Sequence, residues 1–116
     1  MTAQRGPYLL VPEVPQSVAE AYELYRSLDL EALRGITTSA TDVMLDSCVI
    51  RFGAGLAIND LKMQAGTPVF DAARTGEVLT RTKQGSEQRG IRSTFGRSLV
   101  RSAMDESCWL QEQARI

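Results

Sequence analysis

Val43-Met44-Leu45-Asp46-Ser47-Cys48-Val49-Ile50-Arg51-Phe52-Gly53-Ala54-Gly55 is the stretch whose reading decides the fold class. Val43, Val49, Ile50 and Phe52 are residue types that favour a pleated, half-buried surface, with Asp46 and Arg51 on the other face or near the ends. Gly53-Ala54-Gly55 then reads as a break. On this basis residues 43–52 are expected to form a strand, and residues 56–61 either a second strand returning from a hairpin, the favoured reading, or the first turns of a helix. Residues 77–82, with Val78 and Leu79, suit a further strand.

Helices are expected on either side. Ser17-Val18-Ala19-Glu20 is a capping box, in which the Ser17 hydroxyl accepts the Glu20 amide and the Glu20 carboxylate reaches back to the Ser17 amide. Val18, Ala21, Tyr22, Tyr25, Leu28 and Ala32 follow at spacings of three and four, one apolar stripe on a helix over residues 17–34. Gly35 supplies a stop, and Ser27 or Asp29 is an alternative cap for a second short helix over residues 30–34. A second long helix is expected over residues 91–114. Phe95, Leu99, Ala103 and Leu110 lie along one face there, and Val100, Met104 and Cys108 widen it. Arg101 and Asp105 are spaced as an i,i+4 pair.

Between these come punctuation signals. Residues 37–42 are polar and read as a loop. Gly66-Thr67-Pro68 reads as a helix start, Thr67 capping and Pro68 at the first helical position, with a short helix over residues 69–75 stopped by Gly76. Residues 83–90, polar with two glycines, read as an exposed loop. The expected fold class is therefore α+β: two longer helices packed on a small, mainly antiparallel sheet. Residues 1–16 form an extended N-terminal arm, since Pro7, Pro12 and Pro15 oppose helix, and residues 17–116 form one small domain. The length of 116 residues fits a single domain.

Composition narrows the chemistry. The chain has no histidine, which removes Ser-His-Asp and Cys-His catalysis and most zinc sites. Its two cysteines, Cys48 and Cys108, are read as thiols rather than a disulfide, because no secretion signal precedes them. No run approaches the roughly 20 apolar residues of a membrane helix. A cytoplasmic location, or incorporation into a virion or complex assembled there, is expected, with no membrane partner and no cofactor. The net charge of −1 hides a split. Residues 1–80 hold six basic and ten acidic side chains, and residues 81–116 hold seven and four.

Three constellations are candidates for function. Tyr8, Leu9, Leu10, Val11 and Val14 give the arm an apolar character unlike that of a floppy tail; the arm either packs on its own domain or, as the functional expectation, binds a protein partner or a second copy. The series Arg81, Lys83, Arg89, Arg92, Arg97 and Arg101 reads first as a solvated helix face with acidic neighbours; it also suits phosphate contacts, with Arg89, Arg92, Arg97 and Arg101 the candidate nucleic-acid-binding set. Gly53-x-Gly55 after a strand is a partial phosphate cradle for a small nucleotide or sensor site, with Asp71 near the distance of a ribose-binding acid. Acid pairs such as Asp42 with Asp46, or Asp105 with Glu106, lack a cleft to separate their roles.

The run Gly66-Thr67-Pro68-Val69-Phe70-Asp71-Ala72-Ala73-Arg74-Thr75-Gly76-Glu77-Val78-Leu79 resembles the late segment of GAF sensor domains, where a short helix ends in an Arg-Thr-Gly-Glu-like turn before a strand. The resemblance implies a strand after Gly76 and carries no binding residue onto this chain. The leading functional expectation is a non-enzymatic interaction or structural subunit of a larger assembly, such as a viral or phage one. A nucleic-acid-binding module and a small nucleotide sensor are the alternatives.

Overall fold

A computed structural model describes residues 14–116, and among them every regular element is helical. The order is α1 (Val18–Tyr25), α2 (Leu30–Ala65), α3 (Ala72–Gln88) and α4 (Ser93–Ala114). The chain divides into two compact units, one up to Val49 and one over Ile50–Ile116.

The α+β expectation is overturned. All three expected strands lie inside helices: residues 43–52 and 56–61 in α2, and residues 77–82 in α3. The strand-like residues also satisfy a helical period. Leu45, Val49, Phe52, Leu56, Asn59 and Met63 fall at alternating spacings of four and three. Gly53 and Gly55 do not break α2, because each costs only about 1 kcal/mol relative to alanine and a 36-residue helix absorbs that. The polar run 37–42 is helical too. The Thr37 hydroxyl donates to the Arg34 carbonyl at 2.9 Å and the Thr41 hydroxyl to the Thr37 carbonyl at 3.0 Å, so these side chains bond back along the helix instead of opening a loop.

In the unit ending at Val49, the Ser17 cap holds: the Glu20 amide donates to Ser17 Oγ at 3.2 Å. Only half of the box forms, because Glu20 Oε1 accepts the Gln16 amide at 3.3 Å rather than that of Ser17. The expected helix over 17–34 stops at Tyr25, where the Arg26 guanidinium lies 5.4 Å from the Tyr22 ring centroid. Asp29 then starts a new helix, its Oδ1 accepting the Ala32 amide at 2.9 Å. That helix is not the short one expected, and Gly35 lies within it.

In the second unit, the true helix stops are Gly66 and Gly90, the described glycines with positive φ, at 70° and 74°. Each closes a Schellman motif. At the end of α2 the Gly66 amide donates to the Met63 carbonyl and the Thr67 amide to the Lys62 carbonyl. At the end of α3 the Gly90 amide donates to Glu87 and the Ile91 amide to Ser86. Gly66-Thr67-Pro68 therefore ends a helix rather than starting one. The cap of α3 is Asp71, whose side chain accepts the Arg74 amide at 3.1 Å. Gly76 and residues 83–88 lie inside α3, so neither the stop at Gly76 nor the 83–90 loop forms, and the strand implied by the GAF resemblance is helix. The expected helix over 91–114 corresponds to α4.

Helices α3 and α4 form an αα-hairpin about the turn at residues 89–92. Their contact is made by small side chains: a Cβ added to Gly96 would collide with Ser86 Oγ and lie 3.0 Å from Ser86 Cβ. This moves the buried face of α4 away from the expected Phe95–Leu99 line. Gly96 and Gln111 are buried, whereas Phe95 and Leu99 are exposed. The expected Arg101–Asp105 ion pair is not among those of the described residues.

Alanine at Gly90 is expected to lower unfolding stability by about 1–2 kcal/mol, the cost of a left-handed conformation for a residue with a Cβ. Alanine at Gly35, which is helical with open space beyond it, is expected to stabilise by about 1 kcal/mol. Urea unfolding of both variants checks the contrast, and equal effects would contradict the assignment of Gly90 as a helix stop.

Candidate functional site

The most organised polar cluster in the second unit lies where the end of α2 meets α4. Gly55 permits the approach. A Cβ there would sit 2.5 Å from Ser107 Oγ and 3.2 Å from Gln111 Nε2. One turn on, Asn59 is 1% exposed. Arg115 Nε donates to Asn59 Oδ1 at 2.8 Å, and an Arg115 terminal nitrogen donates to the Thr67 carbonyl at 2.9 Å. Since Gly55 meets Ser107 and Gln111 while Asn59 meets Arg115, α4 runs parallel to this part of α2.

The connection to α3 is drawn into the same cluster. Lys62 Nζ donates to the Val69 carbonyl at 2.7 Å, and Val69, 5% exposed, is the buried hydrophobic residue of the described chain. Gln111 Nε2 donates to Ser107 Oγ at 3.2 Å, but its buried Oε1 has no partner among the described residues. An unmatched buried amide oxygen costs roughly 1–3 kcal/mol. The cluster is built for holding helix ends together. It contains amides, hydroxyls and two basic groups, and Lys62 and Arg115 are both engaged in hydrogen bonds to its own acceptors.

The sequence-derived candidates fall elsewhere. Tyr8, Leu9, Leu10 and Val11 lie outside the described residues, and Val14 is exposed. Arg89 and Arg92 flank the α3–α4 turn, and Arg97 and Arg101 lie one turn apart on α4, all four exposed. Arg89 also donates to the Gly85 carbonyl at 2.9 Å. Gly53 and Gly55 sit inside α2, so the strand-to-helix turn that a phosphate cradle requires is not formed, and Gly55 serves a helix crossing instead. Asp71 is occupied as the cap of α3. Asp42, Asp46, Asp105 and Glu106 are all exposed on helices. No group of three or more Cys, Asp or Glu side chains among the described residues is arranged to hold a metal ion. Cys48 and Cys108 are free, half-buried thiols.

The sequence reading did not single out Asn59 or Gln111, and it set Phe95 and Leu99 on the apolar face of the helix over residues 91–114. The larger omission is the surface. Nineteen large hydrophobic side chains are exposed among the described residues. On α2 these include Met44, Leu45, Val49, Ile50, Ile58 and Leu61, with Val49 72% exposed, and on α4 they include Phe95, Leu99 and Trp109. No described helix is long and apolar enough to cross a membrane. Comparison with protein-family models gives no match, and neither do comparisons with curated proteins and with solved structures.

The Asn59–Arg115–Thr67 cluster predicts a coupled pair. Arg115→Ala and Asn59→Ala are each expected to cost about 1–3 kcal/mol, with the double variant costing less than the sum because both remove one bond. Denaturant unfolding of the three variants measures this, and strict additivity would contradict the bond.

Proposed function

We propose that this chain is a non-enzymatic interaction subunit of a larger protein assembly, whose apolar surface is completed by contact with other protein. The observation that carries this reading is the inversion of the usual arrangement. One hydrophobic side chain, Val69, is buried among the described residues, while nineteen large ones are exposed. Exposed apolar surface on this scale marks protein contact surfaces in soluble chains. Each such side chain, once covered, contributes about 1.5–3 kcal/mol.

The apolar arm residues Tyr8, Leu9, Leu10, Val11 and Val14 extend the same logic to the N-terminus, where they serve as further partner contacts. No cofactor enters this reading, and its setting is the cytoplasm or a virion or complex assembled there. The absence of histidine and the exposure of the candidate acid pairs support a role without catalysis.

The dilute, purified chain is expected to bind a hydrophobic dye such as anilinonaphthalene sulfonate and to unfold over a broad thermal range. A dilute chain that is silent to the dye and unfolds in one sharp transition would overturn the proposal.

A further inference from the structure

The exposed charges divide as the compact units do. Residues 14–49 carry six carboxylates against two arginines, a net of −4, and every one of those carboxylates is exposed. Residues 81–101, on the α3–α4 hairpin around its turn, carry six basic side chains against Glu87, a net of +5, and all six are exposed. The ion pairs of the described residues are Glu23 with Arg26 at 3.5 Å and Arg74 with Glu77 at 3.7 Å. Among the described residues none of the six hairpin cations is in an ion pair, and Glu23 is the one acid of residues 14–49 that is.

The acidic segment also exposes Tyr22, Leu28, Leu45 and Val49, whereas on α4 the exposed Phe95 and Leu99 lie on the other side of the helix from Arg97 and Arg101. Apolar contacts within a charged rim suit a protein interface. A polyanion would use the arginines alone, and it would leave the acidic, apolar N-terminal unit without a role and repel it. An isologous dimer through either surface would set like charges against each other, which opposes association. A heterologous contact sets opposite charges together and repeats from copy to copy.

We propose that the chain self-associates head to tail, the acidic unit of residues 14–49 of one copy docking on the basic α3–α4 hairpin of the next. The contact closes into a ring or grows as a filament according to the rotation between copies. This inference rests on the reading of the chain as an assembly subunit.

The test uses the full chain and two charge-reversed variants, all at exposed positions. One carries Arg92→Glu, Arg97→Glu and Arg101→Glu; the other carries Glu23→Lys, Asp42→Lys and Asp46→Lys. Far-UV circular dichroism confirms that each retains its helices, and light scattering reads the mass. The unaltered chain is expected to form oligomers at low salt that shrink as salt rises to about 0.5 M, where screening falls to a few ångströms. Each variant alone is expected to be monomeric. Mixed, the two variants are expected to associate again, because the intact acidic unit of one meets the intact basic hairpin of the other.

Oligomers unaffected by either reversal, or a mixture that stays monomeric, would overturn the proposal. So would a monomeric unaltered chain that retains nucleic acid stripped by salt. A monomeric unaltered chain that still binds the hydrophobic dye would overturn head-to-tail self-association alone and leave the assembly reading standing.

Discussion

The α3–α4 contact at Gly96, with the approach of the Ser107 and Gln111 side chains to Gly55, is the constraint on which the second unit depends. At Gly96 the α3–α4 contact is filled by Ser86 and Thr82, and at Gly55 the α2–α4 contact is filled by Ser107 and Gln111. Helices that meet through glycine and serine bring polar backbones near one another and leave little volume for large side chains between them. The interior at these crossings consists of Gly55, Asn59, Ser86, Gly96 and Gln111, all buried. The large apolar residues on the same helices are displaced to other faces. The exposure of Ile58, Leu61, Phe95, Leu99 and Trp109 follows from the way the helices touch.

Such an interior gains little from removal of apolar surface and relies on directional bonds. Arg115 joining Asn59 to Thr67, and Lys62 joining Val69, tie three chain segments with few atoms. Hydrogen bonds of this kind contribute about 0.5–1.5 kcal/mol each, more where a charged group donates. Covering the outward apolar faces offers the larger gain, since each aliphatic side chain removed from water contributes more than a typical hydrogen bond. On the proposed reading, stability and assembly would be linked in this way: a unit that packs sparingly inside has the most to gain from a partner.

What the sequence disclosed was local. The Ser17 cap, the Asp29 alternative and the extent of α4 could be read because capping acts over three residues and amphipathic spacing over a few turns. The long helix α2 was hidden by two features. Its threonines, which mark loops by frequency, bond back to the carbonyls of their own helix. Its glycines, which mark breaks, serve as points of helix contact or face open space. Glycine alone does not distinguish a stop from a crossing. Gly66, followed two residues later by Pro68, held the local clue to a true stop, whereas Gly55 is explained only by Ser107, more than fifty residues away. The basic series after residue 80 was legible as composition, but its lack of ion-pair partners among the described residues depends on tertiary placement.

The central claim is that small-residue crossings hold the second unit while apolar faces await a partner. Hydrogen exchange of the full chain, followed by mass spectrometry at low and high protein concentration, tests it most directly. The account predicts that residues 82–88 and 96–107, at the α3–α4 crossing, exchange slowly at both concentrations. Residues 44–50, rich in exposed apolar side chains, should become protected only when the chain is concentrated. Equal protection of residues 44–50 at both concentrations would contradict the account.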